Sequence, residues 1–375
     1  MKASKKKIAV VVPKYGLVGG GELFVSELTE RLAQKPDYDI HVFANQWRKQ
    51  SDKITFHKVP IIAFPKWMTT ISFAYFANRK IASMDFDLVH THDRIFKADI
   101  CTLHFIPHRI WVREIRGKKR LSLFDRTTCC VERRFFESGN CRIFMPVSNL
   151  AKEKMLEEYQ VDPDKIHVVH PGVDVEKFKK KDVAVRQEVR KEFGIQDTDM
   201  LVLFVGMNYE LKGLDNLLKA VSLIKKINTN HDIKVLVAGK GNIKKYESMA
   251  DQLGIGSNVI FAGVCSDIAR IYQAGDILAL LSGFDTFGMV VTEAMAAGLP
   301  VIISDKVGAK DLVRDGENGF VVQRDCVNEI RSRIIYMVNE EVRSAMSSNA
   351  RNSVRDYPWE IIARRVMKLY DGLWY

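Results

Sequence analysis

The sequence predicts an α/β protein made of two successive doubly wound parallel sheets. Three observations lead there. At 375 residues the chain exceeds what one ordinary core accommodates. Short apolar runs of strand length alternate with segments of helical apolar spacing, the mark of βαβ units. That alternation occurs as two separate series.

The first series has a strand at 8–12, a helix at 20–33 and a strand at 39–44, with further strands at 88–90 and 143–147. The second begins with a strand at 201–206, a helix at 214–226, a strand at 233–238 and a helix at 243–253. Strands at 259–262 and 277–281, a helix beginning near Gly288 and a strand at 301–304 complete it. The charged stretch 175–189 separates the two series. The expected division is a domain over 1–172, a second over 173–357, and a last helix over 358–375. Ile361, Ile362, Val366, Leu369 and Tyr370 give that helix one apolar face, which should pack back on the first domain. Ligands of open α/β sheets lie beyond the C-terminal strand ends, so two such domains facing each other predict a cleft as the binding site.

Composition bounds the class. Apolar residues make up 47% and charged residues 27%, as in globular proteins, and no run reaches the length of a membrane span. The basic residues 1–7 before the apolar run 8–12 imitate a signal peptide, but Pro13 ends the run too early, and a buried first strand is expected. None of the six cysteines forms a CxxC pair, which predicts free thiols in a reducing cytosol and no structural zinc. The net charge of +11 calls for an anionic partner. Basic residues concentrate in 105–135, among them Arg113, Arg116, Lys118, Lys119 and Arg120, interleaved with Trp111, Leu121 and Phe124. Phe64, Lys66, Trp67 and the apolar 71–76 run lie upstream. Such mixtures suit a surface resting on an anionic bilayer. They equally suit solvated helix faces with ordinary core contacts.

The segment 284–301 (FDTFGMVVTEAMAAGLPV) carries the most chemistry. It sets two carboxylates, Asp285 and Glu293, across a turn that becomes a helix, with Gly288 at the entry and Glu293 about two turns in. Unpaired N–H groups and the dipole make a helix start an anion site. Carboxylates on either side can accept hydrogen bonds from hydroxyls, and an anion flanked by hydroxyls outlines a sugar nucleotide. Gly19 and Gly20 form a turn through which backbone N–H groups can approach phosphate or sugar. A Gly-rich loop alone is as readily an ordinary turn. Lys212, before Gly213 and a helix, is placed to put an ammonium on a diphosphate, where electrostatic stabilisation of a leaving group is most useful. His90 and His92 share one strand face, so a metal is conceivable, although His90 reads more readily as a packed strand-end histidine.

Taken in order, these segments resemble the family 4 retaining glycosyltransferases of GT-B fold. Residues 284–301 resemble the E-x7-E signature, and 18–22 (VGGGE) the Gly-rich loop after the first strand. Ser148-Asn149 and 165–174 (KIHVVHPGVD), Gly206 to Lys212-Gly213, Gly239-Lys240-Gly241, Gly263-Val264 with Asp267, 315–319 and Pro358-Trp359 extend the likeness over nearly the whole chain. The resemblance implies two facing Rossmann-like domains and a nucleotide sugar donor. It assigns Lys212 to the diphosphate, Asp285 to the donor sugar hydroxyls, Glu293 to the ribose and His104 to the sugar. It adds Gly19, Gly20, Gly206, Gly239, Val264, Phe287, Gly288 and Met289 as donor contacts. It implies no metal and no other cofactor. Two positions depart from the family: Asp285 stands where the first Glu is customary, and Met207 where an Arg often follows the Gly. The short stretches 98–101, with Asp99 as a further catalytic candidate, and 131–137 resemble the enzymes that add the first glucose to lipopolysaccharide core. That implies UDP-glucose as donor, a lipid-linked saccharide acceptor, and peripheral contact of 64–76 and 105–135 with the inner face of the cytoplasmic membrane. The competing reading is a basic membrane- or nucleic-acid-binding protein with a vestigial sugar-nucleotide site. No nucleic-acid recognition motif supports a nucleic-acid partner, and neither Gly turn has the GxGxxG spacing of a dinucleotide enzyme.

Overall fold

The computed structural model describes residues 5–17, 19–179, 182–227 and 232–374, so Val18 of the Gly-rich loop lies outside the described residues. The chain divides into two units, Met1–Gly172 with Trp359–Tyr375, and Val173–Pro358.

In the first unit β1 (Lys6–Val11), β2 (Tyr38–Ala44), β3 (Ile54–Lys58), β4 (Leu88–Thr91), β5 (Ile100–Leu103) and β6 (Ile143–Pro146) pair in parallel, in the order β3-β2-β1-β4-β5-β6. Helices α1 (Gly20–Leu32), α2 (Met68–Ala82), α3 (Leu123–Glu137) and α4 (Asn149–Glu158) fill the crossovers. Residues 8–11 of β1 are all buried, because the central strand of a parallel sheet is covered on both faces. Phe73, Ala74 and Ala77 of α2 and Val131, Phe135 and Phe136 of α3 share one core with Ala9, Val11 and Phe144 of the sheet.

The second unit repeats the plan. α5 (Val175–Lys179) and α6 (Val183–Glu192) lead into β7 (Met200–Met207) and α7 (Leu214–Lys225). β8 (Ile233–Lys240), α8 (Ile243–Gln252), β9 (Val259–Gly263), α9 (Ile268–Ala274), β10 (Ile277–Leu280) and α10 (Met289–Ala296) follow. β11 (Val301–Ser304), β12 (Gly319–Val322), α11 (Val327–Tyr336) and α12 (Glu340–Ser353) complete it. All strands are parallel, in the order β9-β8-β7-β10-β11-β12. The segment 175–189, expected as a separator, instead carries the helix α5 and most of α6 among its described residues. Arg190 on α6 is buried and donates to Asp276 Oδ2 at 2.7 Å and to the Ala274 carbonyl at 3.1 Å, locking α6 to the start of β10. α13 (Trp359–Asp371) belongs to the first unit. Its Trp359 packs edge-on against Phe24 at 5.5 Å, Glu360 pairs with Arg31 at 2.8 Å, and the Tyr370 hydroxyl meets His90 Nδ1 at 2.7 Å.

The basic, aromatic stretches divide between core and surface. Ile106, Ile110 and Val112 are buried, as is much of the 71–76 run, so these residues pack the unit. Phe64 (89% exposed), Tyr75 (51%) and Leu123 (58%) remain outside with Lys118, Lys119 and Arg120. A short helix, His108–Ile110, runs into a π-helical turn, Trp111–Ile115, that presents this basic stretch. Its anchor is Glu132 of α3, fully buried, which accepts from Arg94 Nε at 2.5 Å, the His108 amide at 2.8 Å and the Tyr159 hydroxyl at 2.6 Å. Arg94 in turn lies over the Phe105 ring at 3.7 Å. Removing one partner of a buried ion pair strands the other. Glu132→Ala is therefore expected to cost about 3 kcal/mol or more of unfolding free energy in urea denaturation.

Candidate functional site

In a 3-2-1-4-5-6 sheet the crossovers leave the two central strands in opposite directions, opening a crevice at their carboxyl ends. In the second unit those strands are β7 and β10, which are hydrogen-bonded neighbours. The loop after β7 carries Lys212, and Gly213 follows in the left-handed region (φ 78) as the N-cap of α7. A Cβ at 213 would stand 2.1 Å from the Leu281 carbonyl oxygen, so only glycine lets the Lys212 turn press against the chain leaving β10. That chain carries Asp285, whose backbone is fixed to the loop after β11. Asp285 N–H donates to the Lys306 carbonyl at 2.9 Å, and Gly308 N–H donates to the Asp285 carbonyl at 3.0 Å.

The Lys212 ammonium and the Asp285 carboxylate form an ion pair, each side chain about one-fifth exposed (19% and 18%). Asp285 Oδ1 also lies 3.4 Å from the donating Phe287 N–H. Asp285 thus links a cation to a helix entrance, the two groups a diphosphate would seek. Gly288, at φ 86, turns the chain into α10, where a Cβ would come within 3.0 Å of Val307 Cγ1. Residues 285–288 are tied to the β11 loop in non-helical conformation, so α10 starts only at Met289. Glu293 is consequently one turn into the helix and not two. Its Oε2 accepts from the Tyr272 hydroxyl at 2.9 Å. Burial raises the Glu293 pKa, against the opposing effects of the Tyr272 hydrogen bond and Lys177.

The remaining candidates of this unit fall around the same strand ends. Gly206 and Gly239 are register partners near the ends of β7 and β8. Val264, after β9, is 72% exposed and Met207, at the end of β7, 48% exposed. Phe287 is buried, so its contribution is through the backbone, while Met289 is partly exposed. Sequence reasoning missed Tyr272, which looks like an ordinary apolar position of α9. It also missed Arg324, which donates to the Leu281 carbonyl at 3.3 Å and the Glu210 carbonyl at 3.2 Å and so clamps the Lys212 loop to the end of β10.

The first unit shows the same geometry with different chemistry. Gly19 and Gly20 stand at the entrance of α1, and a Cβ at Gly21 would lie 3.3 Å from His104 Cβ. His104 follows β5, and its Nε2 lies 3.1 Å from His92 Nδ1; the His90 and His92 rings are 4.2 Å apart. His90 is a packed histidine, held through Nδ1 by Tyr370 and through Nε2 by the Thr102 hydroxyl, each at 2.7 Å. Burial pushes the pKa of His90 down to about 3, with His104 adding to it, and that of His104 to about 3; burial with both neighbours holds His92 well below its ordinary value. His104 is therefore a neutral hydrogen-bonding ring near pH 7. Among the described residues no group of three His, Cys, Asp or Glu side chains could hold a metal. Asp99 does not join this cluster. It stands before β5, at the opposite strand end from His104, and its Oδ2 accepts the Val89 N–H at 2.8 Å. Through this bond Asp99 ties the start of β5 to β4, away from the strand end that carries His104.

Comparison with known proteins identifies the domains and the fold. Residues 18–177 match the Glycosyltransferase Family 4 domain and residues 185–353 the Glycosyl transferases group 1 domain. An uncharacterized glycosyltransferase of Methanocaldococcus jannaschii is 26% identical over 97% of both chains. Lipopolysaccharide glucosyltransferase WaaG of Escherichia coli is 26% identical over 69% of each chain. The crystal structure of WaaG, a glycosyltransferase involved in lipopolysaccharide biosynthesis, superposes with a TM-score of 0.82 at 20% identity, covering 97% of this chain and 100% of that one. Anabaena HepE in complex with UDP-glucose gives a TM-score of 0.75 at 17% identity, over 98% and 99%.

The buried histidines set a pH dependence of stability. Their folded pKa values lie below the unfolded value of about 6.5, so the folded state refuses protons that the unfolded state accepts. The stability they contribute is present above about pH 6.5 and is lost as pH falls toward the folded values. Urea denaturation should show stability declining from pH 7 to about pH 5, and His90→Gln should flatten that decline.

Proposed function

The chain is a GT-B glycosyltransferase built of a Glycosyltransferase Family 4 domain and a Glycosyl transferases group 1 domain, and we propose that it transfers glucose from UDP-glucose to a lipid-linked saccharide with retention of configuration. The observation that carries this reading is the meeting of Lys212 and Asp285 just before α10 at the sheet's switch point, with Glu293 one turn into that helix. A diphosphate has the Lys212 ammonium and the helix start as counter-charges, and Glu293 accepts ribose hydroxyls. Asp285 accepts sugar hydroxyls once phosphate draws Lys212 away, and its short side chain narrows which sugar hydroxyls it reaches.

Chemistry then follows from charge. The bond between the anomeric carbon and the diphosphate oxygen breaks as negative charge builds on the nucleotide, where Lys212 stabilises it. The acceptor hydroxyl forms the new bond on the same face, and its proton passes to the departing phosphate oxygen. Neutral His104 offers a hydrogen bond and no proton transfer in this scheme.

Acceptor and membrane recognition fall to the first unit. Phe64, Tyr75 and Leu123 are exposed apolar side chains beside the basic loop, and Lys66 lies 5.2 Å over the Phe124 ring, joining the two stretches. Among the described residues no helix is long and apolar enough to cross a membrane, so peripheral contact with an anionic leaflet is the mode proposed.

UDP-glucose at about 100 times its Kd should stabilise the protein by about 2.7 kcal/mol, visible as a thermal shift absent with GDP- or ADP-glucose. Lys212→Ala should lower UDP-glucose turnover by about one to three orders of magnitude. Wild-type turnover in that variant would refute its role. Sedimentation with anionic vesicles should fall on replacing Phe64 and Leu123 by Ser; unchanged sedimentation would remove the membrane from the reading. Vesicle binding with no nucleotide-sugar turnover would favour a binding protein over an enzyme.

A further inference from the structure

We propose that Tyr272 is a positioning residue for nucleotide recognition, holding one oxygen of Glu293 so that the other meets the ribose diol. The proposal rests on Glu293 as the ribose acceptor.

Tyr272 is a rigid donor. Its ring is fully buried and packs edge-on against Phe178 at 5.6 Å, and its helix is capped by Asp267, which accepts the Ala269 N–H at 3.1 Å. The hydroxyl lies 2.9 Å from Glu293 Oε2 and 3.3 Å from the Val290 carbonyl oxygen. It thus engages α10 through both the carboxylate and the backbone one turn earlier, which fixes the Glu293 rotamer. Among the described residues the Glu293 carboxylate makes no other hydrogen bond, and the side chain is only partly buried, leaving Oε1 to accept from a diol. A glutamate already held in one rotamer loses less side-chain freedom when the nucleotide binds.

Protonation is the second effect. Lys177 on α5 is the cation that bears on Glu293. Of the other charges around α10, Arg351 on α12 faces Gly298, Lys310 donates to the Asp305 carbonyl at 3.2 Å, and Lys212 is paired with Asp285. Burial favours the protonated carboxyl, and the Tyr272 hydrogen bond opposes it. A protonated Glu293 has one acceptor fewer for the diol, so nucleotide affinity weakens as pH falls through its pKa. Without the tyrosine hydroxyl that loss moves to higher pH.

Calorimetric titration of UDP-glucose into the full chain, from about pH 5 to about pH 8, tests this in wild type, Tyr272→Phe and Glu293→Gln. The UDP-glucose diphosphate is esterified at both ends and stays fully ionised over that range, whereas the terminal phosphate of UDP would titrate at about pH 6. Tyr272→Phe should bind UDP-glucose about tenfold more weakly near pH 8 and shift the midpoint of acid weakening up by about one pH unit. Glu293→Gln should be weak and show no such midpoint. A role confined to packing would lower the thermal midpoint of Tyr272→Phe and leave the pH profile in place. Should that variant not fold, 2′,3′-dideoxy-UDP-glucose on the wild type decides. The acid weakening should vanish with this probe, and the same midpoint with both nucleotide sugars would overturn the proposal. Glu293→Gln with wild-type affinity, or no UDP-glucose binding by the wild type, would refute the ribose reading and the proposal with it. A weakened Glu293→Gln beside a Tyr272→Phe of wild-type affinity and midpoint would overturn the positioning role alone.

Discussion

Parallel pairing of β7 with both β8 and β10 is the constraint on which the second unit's chemistry depends. Each parallel neighbour demands a crossover, and winding outward in both directions sends the chain after β7 one way and the chain after β10 the other, so that the two loops begin side by side at one end of the sheet. The central strands are buried on both faces, where an unpaired charge would be costly. Polar groups are therefore confined to the loops just beyond the strand ends. Lys212 and Asp285, 73 residues apart in the chain, meet because topology leaves them one place to be.

The central strands and the glycine-bounded turns were legible in sequence because parallel burial writes them as unbroken apolar runs. The edge strands β3 and β12 were not. β3 has only Ile54 buried among residues that read as mixed, and β12 follows a turn-rich stretch. The depth of Glu293 was misjudged because the tie between Asp285 and the loop after β11, which delays the helix, is a tertiary contact. Asp99 entered the candidates through the likeness of 98–101 alone, and its position relative to His104 was not legible, because a strand of four residues stands between them and puts them at opposite ends of the sheet. Tyr272 is a buried helical aromatic in every local respect, and only the fold turns its hydroxyl toward a carboxylate.

The two units use the same crevice position in opposite electrostatic ways. In the second, the Lys212 ammonium is held by Asp285, a partner that a phosphate can replace. Binding then swaps interactions and avoids creating a bare charge, which keeps reorganisation small. In the first, stacked and buried histidines are kept neutral, so that end of the sheet offers hydrogen bonds without charge. One sheet order supports both because the strands contribute only position.

The return of α13 to the first unit makes the second unit an insertion within the first, entered at Val173 and left at Pro358, whose backbones form an isolated bridge. Synthesis on the ribosome proceeds from the N-terminus. Trp359, which covers Phe24, and Tyr370, which holds His90, are therefore translated only after the whole of the second unit. The first sheet, although made first, waits with its α1 face and its histidine cluster incomplete while a complete second unit emerges. Order of synthesis and order of completion are reversed, and during that interval the nascent chain presents an apolar face that a chaperone would recognise.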